Sequence, residues 1–353
     1  MAALSPSVVM GLFLGYMAFL FIIALWVERQ KSDKARRLAN HPLLYSLSLA
    51  VYCTSWTYYG SVGQAATSGM LFLTIYLGPT IIIVLWLTIL RKLVRIKTKY
   101  RVTSIADFIS ARYNRSQALA AMAAMAAFLG TMPYIALQLK AVLTTFAIVS
   151  PLTFTTSWAQ NYVGHLVVCL MVAFTIMFGV RRIDPTERHQ GMIMAVATES
   201  LVKLVAFLVV GIFVTYFLFD GIGDILEQTA NSAYKAHLSF SGSTGTTYTL
   251  WTTYLILGMA AVMFLPRQFH VAVIENTSEK HISSAMWLFP LYMLLINVFV
   301  LPIAMGGLLK GFTPELADTF VLRLPMEYGH PLLTLFVFIG GLSAATSMIM
   351  ISA

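Results

Sequence analysis

The run Tyr52-Cys53-Thr54-Ser55-Trp56-Thr57-Tyr58-Tyr59-Gly60-Ser61 sits inside an otherwise apolar stretch, and its reading decides the fold. Hydroxyls, aromatics and a glycine interrupt a segment long enough to cross a bilayer. In hydrocarbon, non-helical backbone is tolerated only where it is buried in protein or lines a cavity. A break at this point frees carbonyl oxygens that can replace the hydration shell of Na⁺, and half-helix ends that can meet a charged solute. The competing reading is an unbroken helix whose hydroxyls bond back to their own backbone while the aromatics pack at the interface.

Outward from this run, the composition selects a membrane protein. Apolar side chains make up 59% of the 353 residues and charged ones 10%, with a mean hydropathy of +0.80. A soluble domain carries roughly one-quarter charged residues, so a soluble enzyme is excluded. The net charge of +9 does not indicate nucleic acid, because the basic residues sit in loops between apolar runs. Cys53 and Cys169 lie in apolar stretches without a CxxC and read as packing residues. The first apolar run has no charged segment ahead of it and reads as a retained helix, not a signal peptide. No Walker A, HExxH or GxSxG pattern is present, so no catalytic residue is assigned.

About 20 apolar residues span the hydrocarbon core, and nine such runs are found: Val8–Val27, Leu43–Val62, Met70–Leu90, Ala118–Val149, Val163–Val180, Met192–Phe219, Trp251–Phe269, Ala285–Leu309 and Leu332–Ala353. Alternate loops, at 28–42, 91–115, 181–188 and 267–280, hold 18 Lys and Arg; the opposite loops hold three, Lys235, Lys310 and Arg323. Positively charged loops stay in the cytoplasm. The expectation is an all-α multi-pass protein with nine transmembrane helices, its N-terminus outside, forming a single membrane domain over 1–353.

Further features fall inside or beside these spans. Gly258 to His270 places a glycine and then Pro266 in the seventh span, a counterpart to the first break; the alternative is a proline kink at a cytoplasmic helix end, with Arg267 and His270 in the loop. The loop reading is taken for those two residues. Gly340 to Ser347 brings small residues and three hydroxyls into about two turns of the ninth span, suited to Na⁺ or to tight helix packing. Glu199 and Lys203, one turn apart, read as an intrahelical ion pair. Gln138 and Lys140 are candidates to line a cavity, with snorkelling as the alternative for Lys140. Thr103 to Tyr113 reads as a short cytoplasmic helix capped by Thr103 or Ser104.

These pieces occur in one order, and together they resemble the sodium/solute symporter family: Ser55 to Gly60, Thr103 to Tyr113, Pro133 to Lys140, Pro266 to Val271 and Gly341 to Ser347. Phe264 to Val271 and Trp287 to Tyr292 look most similar to the transporter-like sensory domain of certain bacterial membrane histidine kinases. The resemblance implies one extra N-terminal helix (1–42) before a five-plus-five inverted-repeat core (43–353). Spans two to nine would be core helices one to eight. Because the chain ends inside an apolar run, core helices nine and ten are expected beyond it.

For the site, the resemblance implies Na⁺ between the carbonyls of Ala50 and Cys53 and the hydroxyls of Thr346 and Ser347, with Ser343 or Ala344 as the carbonyl contributor in the ninth span. Solute would lie near Trp56, Thr57, Tyr59, Gln138, Met263 and Phe264. Proline symporters carry an acidic residue where this chain has Tyr52, and the usual Gly-Gly after the fifth span is here Phe178-Gly179-Val180. The function implied is sodium-coupled symport of a small organic solute, by family precedent an amino acid, across a bacterial inner membrane. Two alternatives stand beside it: a sensory input domain signalling to a downstream histidine kinase, and a passive channel or scaffold. The partners expected are the solute, the lipid bilayer and a fused or downstream kinase module.

Overall fold

The computed structural model describes residues 5–29, 40–150, 190–240 and 247–352, with scattered positions between 162 and 176. The fifth expected span, Phe178-Gly179-Val180 and the basic loop at 181–188 lie largely or wholly outside these residues. In chain order the α-helices are α1 (Pro6–Arg29), α2 (Pro42–Leu49), α3 (Ser61–Ser68), α4 (Thr74–Ile82), α5 (Ile89–Tyr100), α6 (Ile105–Arg112) and α7 (Gln117–Val149). After them come α8 (Gln190–Phe217), α9 (Ile222–Ala230), α10 (Tyr248–Phe264), α11 (Pro266–Phe269), α12 (Lys280–Asn297), α13 (Val300–Leu309), α14 (Phe320–Glu327) and α15 (Pro331–Ser352).

Among the described residues six helices are long and apolar enough to cross a bilayer, or seven when α10 and the bent segment after it count as one span. The count differs from the nine expected for two reasons. One span falls largely outside the described residues, and the second and third are counted together because only the non-helical Gly69 separates the helical turns between Trp56 and Leu87. Gly69 has a φ of +59° and approaches the backbone of His237 closely, and both require glycine.

The core is built around α8 and α15, which lie side by side; α1, α2 and α15 cover α8, and α7 covers the far side of α15. A helix apolar on every face belongs in a protein interior or a membrane, and α8 fits both, with most faces buried and one stripe, Leu201, Val205, Val209 and Ile212, exposed. The α15 backbone approaches its neighbours closely because Gly340 and Gly341 abut the hydroxyl ends of Tyr58 and Tyr59. A methyl group on Gly341 would collide with the Tyr59 ring. Gly341→Ala is therefore expected to destabilise the protein by about 1–3 kcal/mol, the usual range for overpacking, read as a lower melting temperature in nanodiscs; an unchanged value would contradict this packing.

Between α5 and α7 the expected short helix is present, and of the two candidate caps it is Ser104 that accepts from Asp107 N, at 3.1 Å. The Asp107 carboxylate reciprocates by accepting from Thr103 N at 3.0 Å, a close relative of the capping box. The basic helix α5 is pinned to the segment after α11: Arg95 forks onto Glu279 at 2.9 Å, and Lys97 donates to Asn276 O at 3.1 Å. Hydrogen bonds from Arg95 hold the Glu279 carboxyl below its ordinary value. Such a group contributes above the usual carboxylate range, and its contribution is lost as pH falls through the lowered value. Acid, or salt that screens this exposed pair, is expected to lower the amide-exchange protection factors of residues 275–282, taken relative to the intrinsic rate at each pH; unchanged protection at low pH would refute the attachment.

Candidate functional site

Two interrupted helices meet at the centre. In the first, α2 tightens into a 3₁₀ turn over Ala50–Tyr52, Cys53 adopts an extended conformation (φ −80°, ψ 100°), and the chain re-enters helix through a π turn at Trp56–Gly60. In the second, α10 stops at Leu265, which is extended (φ −60°, ψ 133°), and α11 continues into a π turn at His270–Ile274 with a 47° bend. Pro266 at the first position of α11 lacks the N–H that would continue the ladder, which is why the break falls there. The expected pairing of two breaks is thus present.

Four backbone groups freed by the first break find side-chain partners, as burial demands. Leu49 O accepts from Gln268 Nε2 at 3.1 Å, so the second break stitches the first. Ser55 N donates to Gln138 Oε1 at 3.0 Å, and Thr54 shares a hydrogen bond of 2.9 Å with the Tyr134 hydroxyl. Lys203 Nζ donates to Ala50 O at 2.9 Å and to Cys53 O at 2.5 Å.

This last pair bears on the sodium expectation. The two carbonyls named for Na⁺ hold an ammonium delivered by α8. On the facing helix the Thr346 hydroxyl donates to Glu199 Oε1, Ser343 shares a hydrogen bond with Tyr16, and Ser347 turns back to Ala344 O at 3.4 Å. The donor set around Ala50 and Cys53 therefore does not fit a metal ion while Lys203 is in place, because a full positive charge already occupies it. The expected ion pair between Glu199 and Lys203 is corrected by the same geometry. The carboxylate reaches across to α15 and the ammonium to the break, each side chain bonding another element in preference to its neighbour one turn away. Sequence spacing put the two on one face of a helix but could not show that both face polar groups on other helices.

A cavity of about 490 Å³ lies between the breaks. Trp56 and Thr57, expected to contact solute, line it together with Tyr52, Tyr134, Gly258 and Arg267. On the other side of Trp56 lies a cavity of about 150 Å³ lined by Ser55, Tyr59, Lys140 and Asp318. It adjoins through Lys140 and Asp318 a vestibule of about 520 Å³ that includes Glu315 and Arg323. Burial pushes the Asp318 carboxyl up from its ordinary value. Among the described residues Trp56 is thus the aromatic that lines both inner cavities.

Three expected solute contacts stand elsewhere. Gln138 is fully buried and spends its carbonyl on Ser55 N; Met263 is buried outside the cavity linings; Phe264 is 56% exposed on the outer surface of α10. Arg267 and His270 do not lie in a loop. Arg267 is buried in the helix after the break, its guanidinium 4.5 Å from the centre of the Tyr134 ring, and His270 pairs with Glu275 at 3.3 Å. The reading of Arg267 as a loop residue failed because hydropathy treats any arginine beside a proline as a span end.

No family model and no curated protein matches the sequence. Among solved structures the chain is similar to a substrate-bound, outward-open Na⁺-coupled sialic acid symporter, with a TM-score of 0.69 and 17% identity over 98% of this chain and 72% of that one. The fold is that of a sodium symporter. With its apolar helices, this makes the chain a multi-pass membrane protein built as such transporters are.

Proposed function

We propose that the chain carries a small organic solute across the membrane by alternating access, as a cation-coupled secondary transporter, with an amino acid as the solute class. The observation that carries this reading is the placement of a solute-sized cavity between two facing helix breaks, with further cavities on the opposite side of Trp56. At about 490 Å³ the inner cavity falls within the roughly 300–1,000 Å³ range of small-molecule sites. Broken helices at the bilayer midplane are where transporters of this architecture bind solute, and rocking of one bundle against the other exposes such a site alternately.

Sodium, the ion used by the sialic acid symporter of like fold, is the coupling ion proposed. Because Lys203 holds the carbonyls of Ala50 and Cys53, no step of the cycle is placed on sodium there. The test is uptake by the full chain reconstituted in vesicles, with labelled amino acids offered under an inward sodium gradient, under a choline gradient and without any gradient. Accumulation or solute exchange supports transport. Neither accumulation nor exchange for any of the twenty amino acids would sink the reading.

A further inference from the structure

Arg267 is the side chain that the proposed cycle leaves without a role, and its surroundings are unusual. It is 7% exposed, yet no carboxylate lies within ion-pair distance of it among the described residues. Its Nε is buried without a hydrogen-bond partner. The guanidinium stacks over Tyr134 and lines the 490 Å³ cavity, where its neighbours Leu265 and Pro266 are apolar. A buried charge with no counter-charge is strongly unfavourable unless something supplies one.

The other charges embedded in the described helices do not supply it. Glu199 bonds Thr346, Asp318 lines the same outer cavities as Lys140, and Glu275 pairs with His270. Lys203 is satisfied by Ala50 O and Cys53 O and Lys140 shares its cavities with Asp318, so that Arg267 is, among the described residues, the buried cation without such a partner. We infer that Arg267 binds a carboxylate of the solute, its planar fork supplying two parallel hydrogen bonds and Tyr134 fixing its plane. The inference rests on the transport reading and deepens it by naming the ionic group of the solute.

The match favours a single carboxylate. One guanidinium balances one negative charge, whereas a phosphate dianion would leave an uncompensated charge in a cavity whose other walls are mostly Ala, Leu, Ile and aromatic residues. The body attached to the carboxylate is apolar or aromatic, since Tyr52, Trp56 and Tyr254 face the same space. Arginine, not lysine, suits this task, because its donors are arranged to meet both carboxylate oxygens at once.

The experiment uses the full chain in nanodiscs and reads binding by isothermal calorimetry, with thermal stability measured alongside. The probes are the twenty L-amino acids and benzoate, each against its primary amide. At least one acid is expected to bind, with its amide weaker by about tenfold or more, since the amide loses a charge-assisted hydrogen bond. Arg267→Gln is expected to weaken that acid by about 30-fold and leave the amide unchanged, while Arg267→Lys recovers part of the loss.

Without ligand, Arg267→Gln is expected to melt at the wild-type temperature or above it, because it removes an unpaired buried charge. That readout separates a lost ligand group from a misfolded protein. Equal binding of acid and amide, undiminished acid binding by Arg267→Gln, or no binding by any acid in the panel would each overturn the inference. Vesicle uptake separates this failure from that of the transport reading. Acid binding without uptake removes transport and keeps the carboxylate site, whereas uptake that favours the amides keeps transport and removes the site.

Discussion

Replacing Lys203 by methionine is expected to destabilise the protein by about 3–5 kcal/mol and to create a stabilising response to sodium at the first helix break. The ammonium now satisfies Ala50 O and Cys53 O, and the carboxylate nearest it, Glu199, has one oxygen on Thr346 and the other unpartnered. Removing the amine leaves two buried carbonyls, Ala50 O and Cys53 O, without their donor. Those same atoms, with the Thr346 hydroxyl, are hard oxygen ligands of the kind Na⁺ accepts.

Melting curves in nanodiscs at matched ionic strength, in NaCl and in choline chloride, check this. The variant is expected to gain a sodium-dependent rise larger than that of the parent protein. Identical sodium responses in the two proteins would show that Lys203 does not fill a cation position. Glu199→Gln combined with Lys203→Met is expected to be less destabilised than the sum of the two single changes, because the two opposite charges lie one turn apart and their effects couple.

Trp56→Ala is expected to convert controlled transport into a leak. Trp56 belongs to the walls of both the 490 Å³ and the 150 Å³ cavities, so its indole forms part of the barrier between them. Truncation to a methyl removes that partition while leaving the hydrogen bonds of the break, which are made by Leu49, Ala50, Cys53, Thr54 and Ser55. Efflux of preloaded solute from vesicles, measured with no ion gradient, is expected to rise by about tenfold or more, equivalent to lowering a barrier by about 1.4 kcal/mol. Efflux at the parental rate would place the barrier elsewhere.

Much of the architecture was legible in the sequence, and for identifiable reasons. Hydropathy and length marked the membrane segments, since hydrocarbon imposes one requirement on every residue facing it. The two breaks were legible because hydroxyls and aromatics at residues 52–61, and Pro266 in the seventh span, contradict that requirement locally. Ser104 and Asp107 were legible because a helix cap is a matter of a few neighbouring residues. Spans two and three were drawn apart because hydropathy dips at Gly60 to Gly69, and Gly69 is where the backbone leaves helical geometry.

The partners of the embedded charges were a different matter. Lys203 and Ala50 are 153 positions apart in the chain, and Thr346 and Glu199 are 147 apart. No local pattern records such pairings, and helical periodicity favoured the nearer but unused one between Glu199 and Lys203. The same holds for Arg267, which looks like any positive charge at a span end until Tyr134 and the cavity are placed around it. The sequence by itself determined that this is a helical membrane protein and marked two places where its spans could be interrupted, because solvation by hydrocarbon acts residue by residue. Only the tertiary structure decided what fills those interruptions, because a buried cation selects its oxygens from whichever helices packing brings within about 3 Å.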